Sequence, residues 1–211
     1  MKHYTIAEIQ GWSRIYRANF VNSLSGFKPA SLIATVNKAG QPNLAIFSNI
    51  VHLGADPALV GFINRPKEAA PHTIRNIEEN GFYTINHIQS EFVDKAHQTS
   101  AKYAEDINEF EAVGLIPVFK DDFAVPYVQE SHVQMALSLS EIIPLSNGTY
   151  LVVGALEHAY VNERSVASDG YIELSKEGSL VSAGLDAYYT TSPLQRYAYA
   201  KPEQTLREVE F

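Results

Sequence analysis

The stretch 28-KPASLIATVNKAGQPNLAIFSNIVHLGADPALVGFIN-64 reads as three consecutive antiparallel strands. Ser31 to Asn37 is rich in β-formers, with Ile33, Thr35 and Val36. Lys38-Ala39-Gly40 with Pro42 makes a turn, because Gly40 supplies a positive φ and Pro42 cannot donate to a ladder. Asn43 to Leu53 resumes the apolar pattern, Gly54-Ala55-Asp56-Pro57 breaks it, and Ala58 to Asn64 forms the third run. Ser48 and Asn49 interrupt the second run between Leu44-Ala45-Ile46-Phe47 and Ile50-Val51. Two small polar side chains there suit a strand that opens its backbone to a ligand. A bulge, or the polar face of a half-buried strand, accounts for the same pattern equally well.

Working outward, Thr5 with Glu8 forms a capping box for a short N-terminal helix whose Trp12, Ile15, Tyr16 and Phe20 are expected to pack on the barrel. After the three strands, Arg65 to His72 reads as a loop, since its two prolines do not propagate a helix. A short helix, Thr73 to Glu79, ends at Asn80-Gly81. Phe82 to Ile88 is a strand. A helix starts at Ser90-Glu91 and runs to about Tyr103, and a second starts at Asp106 and ends near Gly114. Val133, Met135, Leu137 and Leu139 alternate with polar or small residues as a half-buried strand, with a bulge at Glu141-Ile142-Ile143. Asn147-Gly148 then marks a hairpin into Tyr150 to about Val161. The looser remainder carries four of the twelve tyrosines between Ala187 and Pro202. About six strands and few helices point to a barrel in a single domain, 1–211, with its core over about 25–162.

Composition excludes several classes of function. Among 211 residues, 45% are hydrophobic and 19% charged, as in an ordinary globular chain. A net charge of −8 argues against nucleic-acid and anionic-membrane partners. With no cysteine, disulfides, thiolate metal sites and Cys nucleophiles are out, and a reducing cytoplasm fits. No run approaches ~20 apolar residues, and the N-terminus lacks the apolar core of a signal peptide. There is no GxGxxG, Walker A loop, GxSxG or HExxH, and the seven histidines are scattered, so no metal site is expected.

Several residues together resemble one family. They are Lys28-Pro29-Ala30-Ser31, the Gly40-Gln41-Pro42-Asn43 turn, Ala45-x-Phe47-Ser48, Asp56-Pro57 before Leu59-Val60-Gly61-Phe62, and Thr73-x-x-Asn76-Ile77. In order and spacing they are similar to the flavin reductase-like, FMN-binding split-barrel family over residues 25–90. The resemblance implies a Greek-key split β-barrel with external short helices. It further implies a homodimer with FMN near the interface, hydride transfer from NADH or NADPH to flavin, and a monooxygenase as possible recipient of the reduced flavin. Backbone groups of Ala45, Ile46 and Phe47, with Ser48 and Asn49, are then expected along the flavin ring. Arg65, Lys67, His72 and Thr73 are expected at its phosphate, where cations and free N–H groups meet at a helix start. His97, on a helix near the barrel mouth, is the candidate for contact with flavin or nicotinamide. Two other readings stay open: an electron-transfer flavoprotein without efficient NAD(P)H oxidation, and a small-molecule barrel without flavin.

Overall fold

The computed structural model describes residues 1–211. Helices α1 (Ile6–Gly11) and α2 (Arg14–Leu24) precede the two-residue strand β1 (Lys28–Pro29). Strands β2 (Ser31–Val36), β3 (Pro42–Phe47), β4 (Ile50–Ala55) and β5 (Ala58–Asn64) lead to helix α3 (Pro71–Asn80) and strand β6 (Phe82–His87). A 3-10 turn at Ser90–Phe92 runs into α4 (Val93–Gln98), and α5 (Glu109–Val113) follows. Then come β7 (Pro117–Val118), β8 (Tyr127–Val128) and the long pair β9 (Gln134–Pro144) and β10 (Tyr150–Tyr160). The chain closes with β11 (Val181–Ala183), β12 (Ala187–Tyr189), β13 (Arg196–Tyr197) and β14 (Glu208–Val209). No helix is long and apolar enough to cross a membrane.

Seven strands form one antiparallel sheet in the order β3-β2-β6-β9-β10-β5-β4. Its two edge strands, β3 and β4, are consecutive in the chain and joined only by Ser48-Asn49. That short link draws the two edges together at one end and leaves a split barrel. The single run expected from Asn43 to Leu53 is therefore two strands on opposite edges. The physical reason lies in Asn49. Its side-chain amide donates to the Ile63 carbonyl (2.9 Å) and accepts from the Ile63 N–H (3.2 Å), replacing a backbone rung of the β4–β5 ladder.

Period-two alternation sorts the side chains into two cores. Ile33, Phe62, Tyr83, Ile85, Leu137 and Val152 fill the interior, and Ile74 and Ile77 of α3 pack into the same cluster. Leu32, Ala34, Leu44 and Ile46 face outward under Phe92, Ala96 and Phe110 of the α4–α5 region. Asn76 and Asn80 pin α3 to β2, through Thr35 Oγ1 (3.0 Å) and the Val36 carbonyl (2.6 Å). The packed body continues past residue 162, since β11 pairs with β1 and Leu180 joins the outer cluster.

Several boundaries differ from the sequence reading. Helix α3 begins at Pro71, not Thr73, because a proline at the first helical position gives up an N–H that would be unsatisfied anyway. The helix expected to reach Tyr103 stops at Gln98, where Thr99 turns its hydroxyl onto the Ala96 carbonyl (2.8 Å). The next helix is capped by Asn108 rather than Asp106, its side chain accepting from the Phe110 N–H (3.1 Å). Asn147-Gly148 does build the hairpin, as a turn from Leu145 to Gly148 with Gly148 at φ 82°. The bulge expected near Glu141 is present, since Val153 pairs with Glu141 and Gly154 with Leu139. The capping box of Thr5 and Glu8 forms, yet neither α1 nor α2 buries a residue. The expectation that they pack on the barrel fails: Tyr4, Trp12, Tyr16 and Phe20 satisfy one another edge to face instead, at 4.9–5.4 Å.

One core contact yields a stability prediction. Gly154 leaves the space that the Tyr83 ring occupies, and a methyl group there would collide with the Tyr83 hydroxyl. That hydroxyl is buried without a hydrogen-bond partner. Gly154→Ala is expected to cost ~1–3 kcal/mol, as overpacking does. Tyr83→Phe is expected to be neutral or stabilising and to recover part of that loss in the double variant. Urea midpoints of the four proteins check this; additive effects would show that the two residues do not compete for one space.

Candidate functional site

The site is built on the open edge of β3. The Leu44 N–H donates to Glu109 Oε2 (3.1 Å) and not to β2. In an antiparallel ladder the direction alternates, so Ile46 also turns its N–H and C=O outward, and the strand ends in a bend at Ser48. Ala45 and Phe47 spend their backbones on Ile33 and Ser31 of β2. Of the three residues expected to offer ring-edge donors, Ile46 alone keeps an outward-facing backbone. Phe47 instead lines the interior, its ring 5.0 Å from that of Phe62. Ser48 and Asn49 are half-buried where the chain crosses the split, and the Asn49 side chain is committed to β5.

A second wall comes from the segment after β5. Asn64 donates to the carbonyls of Arg65 (2.7 Å) and Ala70 (3.2 Å), folding residues 65–70 into a compact loop. The loop delivers the chain to α3 with Ala70 at the N-cap and no side chain capping the helix. Pro71 has no N–H, so the uncapped amides of this ten-residue helix begin at His72. Asn43 and Glu109 tie this helix start to the β3 edge. Asn43 donates to Thr73 Oγ1 (3.4 Å), and the buried Glu109 lies close enough to His72 to feel its charge. Burial raises the Glu109 carboxyl, opposed by the Leu44 N–H it accepts and by His72.

The four residues expected at a phosphate have different surroundings. Arg65 is exposed and pairs with no carboxylate. Lys67 is neutralised by Glu78 and lies over the Tyr150 ring, 5.3 Å from its centre. His72 lines a small polar recess with Asn37, Gln41, Asn43, Arg75 and Asn76. Thr73, at the third helical position, is buried with Ile74 and Ile77, and its hydroxyl faces Asn43 rather than solvent. The sequence puts Arg65 two residues beyond Ile63, the anchor of Asn49, so ~7 Å of strand separates that rung from Arg65. His97 stands apart on α4, exposed, with Nδ1 2.7 Å from the Tyr188 hydroxyl of β12.

The edge of β3, the crossing at Ser48 and the start of α3 thus offer outward amides, one free cation and an apolar barrel wall. Residues 26–174 match the family model described as flavin reductase like domain. The chain belongs to the flavin reductase-like family. This flavin reductase-like chain is also similar to a proposed flavin reductase with split barrel domain from Shewanella frigidimarina NCIMB 400. The two share 43% identity and a TM-score of 0.91 over 95% of this chain and 100% of that one. Nitrilotriacetate monooxygenase component B from Bacillus cereus has the same fold, with 20% identity and a TM-score of 0.81 over 93% of this chain and 98% of its own. An uncharacterized protein of Aquifex aeolicus (strain VF5) is 25% identical over 120 residues, and the matched part spans 61% of that relative's length.

Glu109, Asn43 and Asn64, which assemble this flavin reductase-like site, escaped the sequence reading. Glu109 follows a capping Asn108 and looked like an ordinary first-turn acid. Asn64 gave the one usable signal, a polar residue closing an apolar strand directly before the basic loop.

Proposed function

We propose that this chain is an NAD(P)H-dependent flavin reductase that binds FMN at the β3 edge and the start of α3. The observation that supports the reading best is the outward backbone of Ile46 beside an uncapped helix start and the unpaired Arg65. Outward amides suit the acceptor atoms of a heteroaromatic ring edge, and a free helix start with a guanidinium suits a phosphate. The residues present therefore fit the group. Ile46, with Ser48 at the bend after it, would hold the ring edge, and Arg65 and the α3 amides would hold the phosphate. Bound FMN supplies the chemistry of accepting a hydride from NADH or NADPH. The protein's share is to orient both partners and to offer N–H donors where negative charge grows on reduction. No acid–base pair is required of the side chains.

The reading extends to a homodimer, which the resemblance implies, and to delivery of reduced flavin to an oxygenase, as the name of the Bacillus cereus component suggests for that protein. The test is spectroscopic. The protein with one equivalent of FMN is expected to bleach its flavin absorbance when NADH or NADPH is added without oxygen, far faster than free FMN does. Bound flavin that neither nucleotide reduces overturns the reductase reading.

A further inference from the structure

We infer that the N-terminal arm, residues 1–27, seats on the outer barrel face of a second copy of this chain, each protomer covering the other's β4–β5–β10 surface. The proposal deepens the homodimer proposed above. Three observations carry it. First, the chain exposes 12653 Å², whereas a compact monomer of 23.4 kDa exposes only ~9,700 Å². Over two chains the excess is ~5,800 Å², enough to supply an obligate dimer interface of 2,000–5,000 Å² in total. Second, apolar side chains are uncovered both on the arm and on the sheet, as they are in the C-terminal tail at Leu194 and Tyr199. In the arm, Ile15 is 69% exposed and Leu24 66%, while the aromatic cluster holds α1 and α2 rigidly together. On the sheet, Val51 is 41% and Leu53 42% exposed around Gly61, where Leu53 and Leu151 close over the missing side chain. Helices α4 and α5 cover the opposite outer face, at β3. Third, charge favours the pairing. Lys2, Arg14 and Arg17 against Glu8 leave residues 1–27 at +2, so the rest of the chain carries −10 of the total −8. The sheet face has exposed Glu141 beside it and Asp56 at the β4–β5 turn. A reciprocal exchange about a two-fold axis closes, whereas a one-way contact would propagate into a filament.

The chain has no cysteine, so a cross-link can be placed without background. Ile15→Cys and Leu53→Cys variants are made separately, mixed under conditions of subunit exchange, and oxidised. The mixture is expected to give a covalent species of twice the chain mass on a non-reducing gel, and each variant alone is not. Self-cross-linking of Leu53→Cys would mean that two sheet faces pack on each other, which overturns the arm placement. So does a mixture without cross-link when light scattering gives a dimer, and so does a wild-type monomer at micromolar concentration. As an independent reading, Ile15→Glu and Leu53→Glu in the full chain are each expected to weaken dimerisation at least tenfold; an unchanged dimer in both overturns the proposal. FMN titration of the same proteins reports on the flavin site separately, so a failed arm and a failed cofactor reading are distinguishable.

Discussion

Arg65→Ala is expected to weaken FMN binding about ten- to a hundredfold and to leave riboflavin binding within about twofold. The reasoning is electrostatic. FMN carries nearly two negative charges on its phosphate, and the protein stands at −8, so the long-range field repels the cofactor and local groups must hold it. Lys67 is already paired with Glu78, and Thr73 is turned inward onto Asn43. Arg65 is left as the exposed cation of the segment without a carboxylate, ahead of the free amides of α3. A charge-assisted hydrogen bond is worth roughly 1.5–3 kcal/mol, and each ~1.4 kcal/mol is a factor of ten. Titration of both flavins against both proteins decides the matter. Equal losses for FMN and riboflavin would move the phosphate site elsewhere.

The second large effect is on stability in mild acid. His87 ends β6 with Nδ1 2.9 Å from Ser179 Oγ, and Ser131 donates to its carbonyl (2.8 Å). Burial lowers its pKa to about 4 from an ordinary 6.5. With the folded pKa depressed, the unfolded chain takes up a proton first. The contribution of His87 to stability is complete above pH 6.5 and is lost as the pH drops from there towards about 4. Such a difference corresponds to ~3 kcal/mol, and because the residue as a whole is only half-buried, screening by water reduces it to ~2 kcal/mol. Unfolding free energies of the wild type from pH 7.5 to 4.5 are expected to fall by about that much more than those of His87→Gln. Parallel profiles would place the acid sensitivity in other groups.

The strands that bury a whole face were legible in the sequence. Ala58 to Asn64 is β5 as read, and the alternation of Val133 to Leu139 anticipated β9, because period two is imposed wherever one face meets a core. The break at Ser48-Asn49 was visible, but its consequence was not. Whether two polar residues bend a strand or carry the chain to the opposite edge depends on what Asn49 finds to bond, and Ile63 lies fourteen residues away. The same holds for the site. Arg65 could be named from its loop alone. That Thr73 faces inward follows from the helix starting at Pro71, and the outward phase of Ile46 follows from Glu109, 65 residues beyond Leu44. Long-range partners fix both, and no local pattern contains them.

The strand order also dictates how the chain reaches its fold. Strand β5 can pair early with β4 across the short Asp56-Pro57 turn, and β2 with β3 across Gly40. Yet Asn64 meets Tyr150 only when β10 arrives, and β6 waits for β9 in the same way. Contacts of such long sequence separation place the chain among slow folders, in the millisecond-to-second range. Until Ala155 has been synthesised, β5 leaves part of its Leu59-Val60-Gly61-Phe62-Ile63 edge bare to any neighbouring chain, so the nascent protein is exposed to aggregation until β10 arrives.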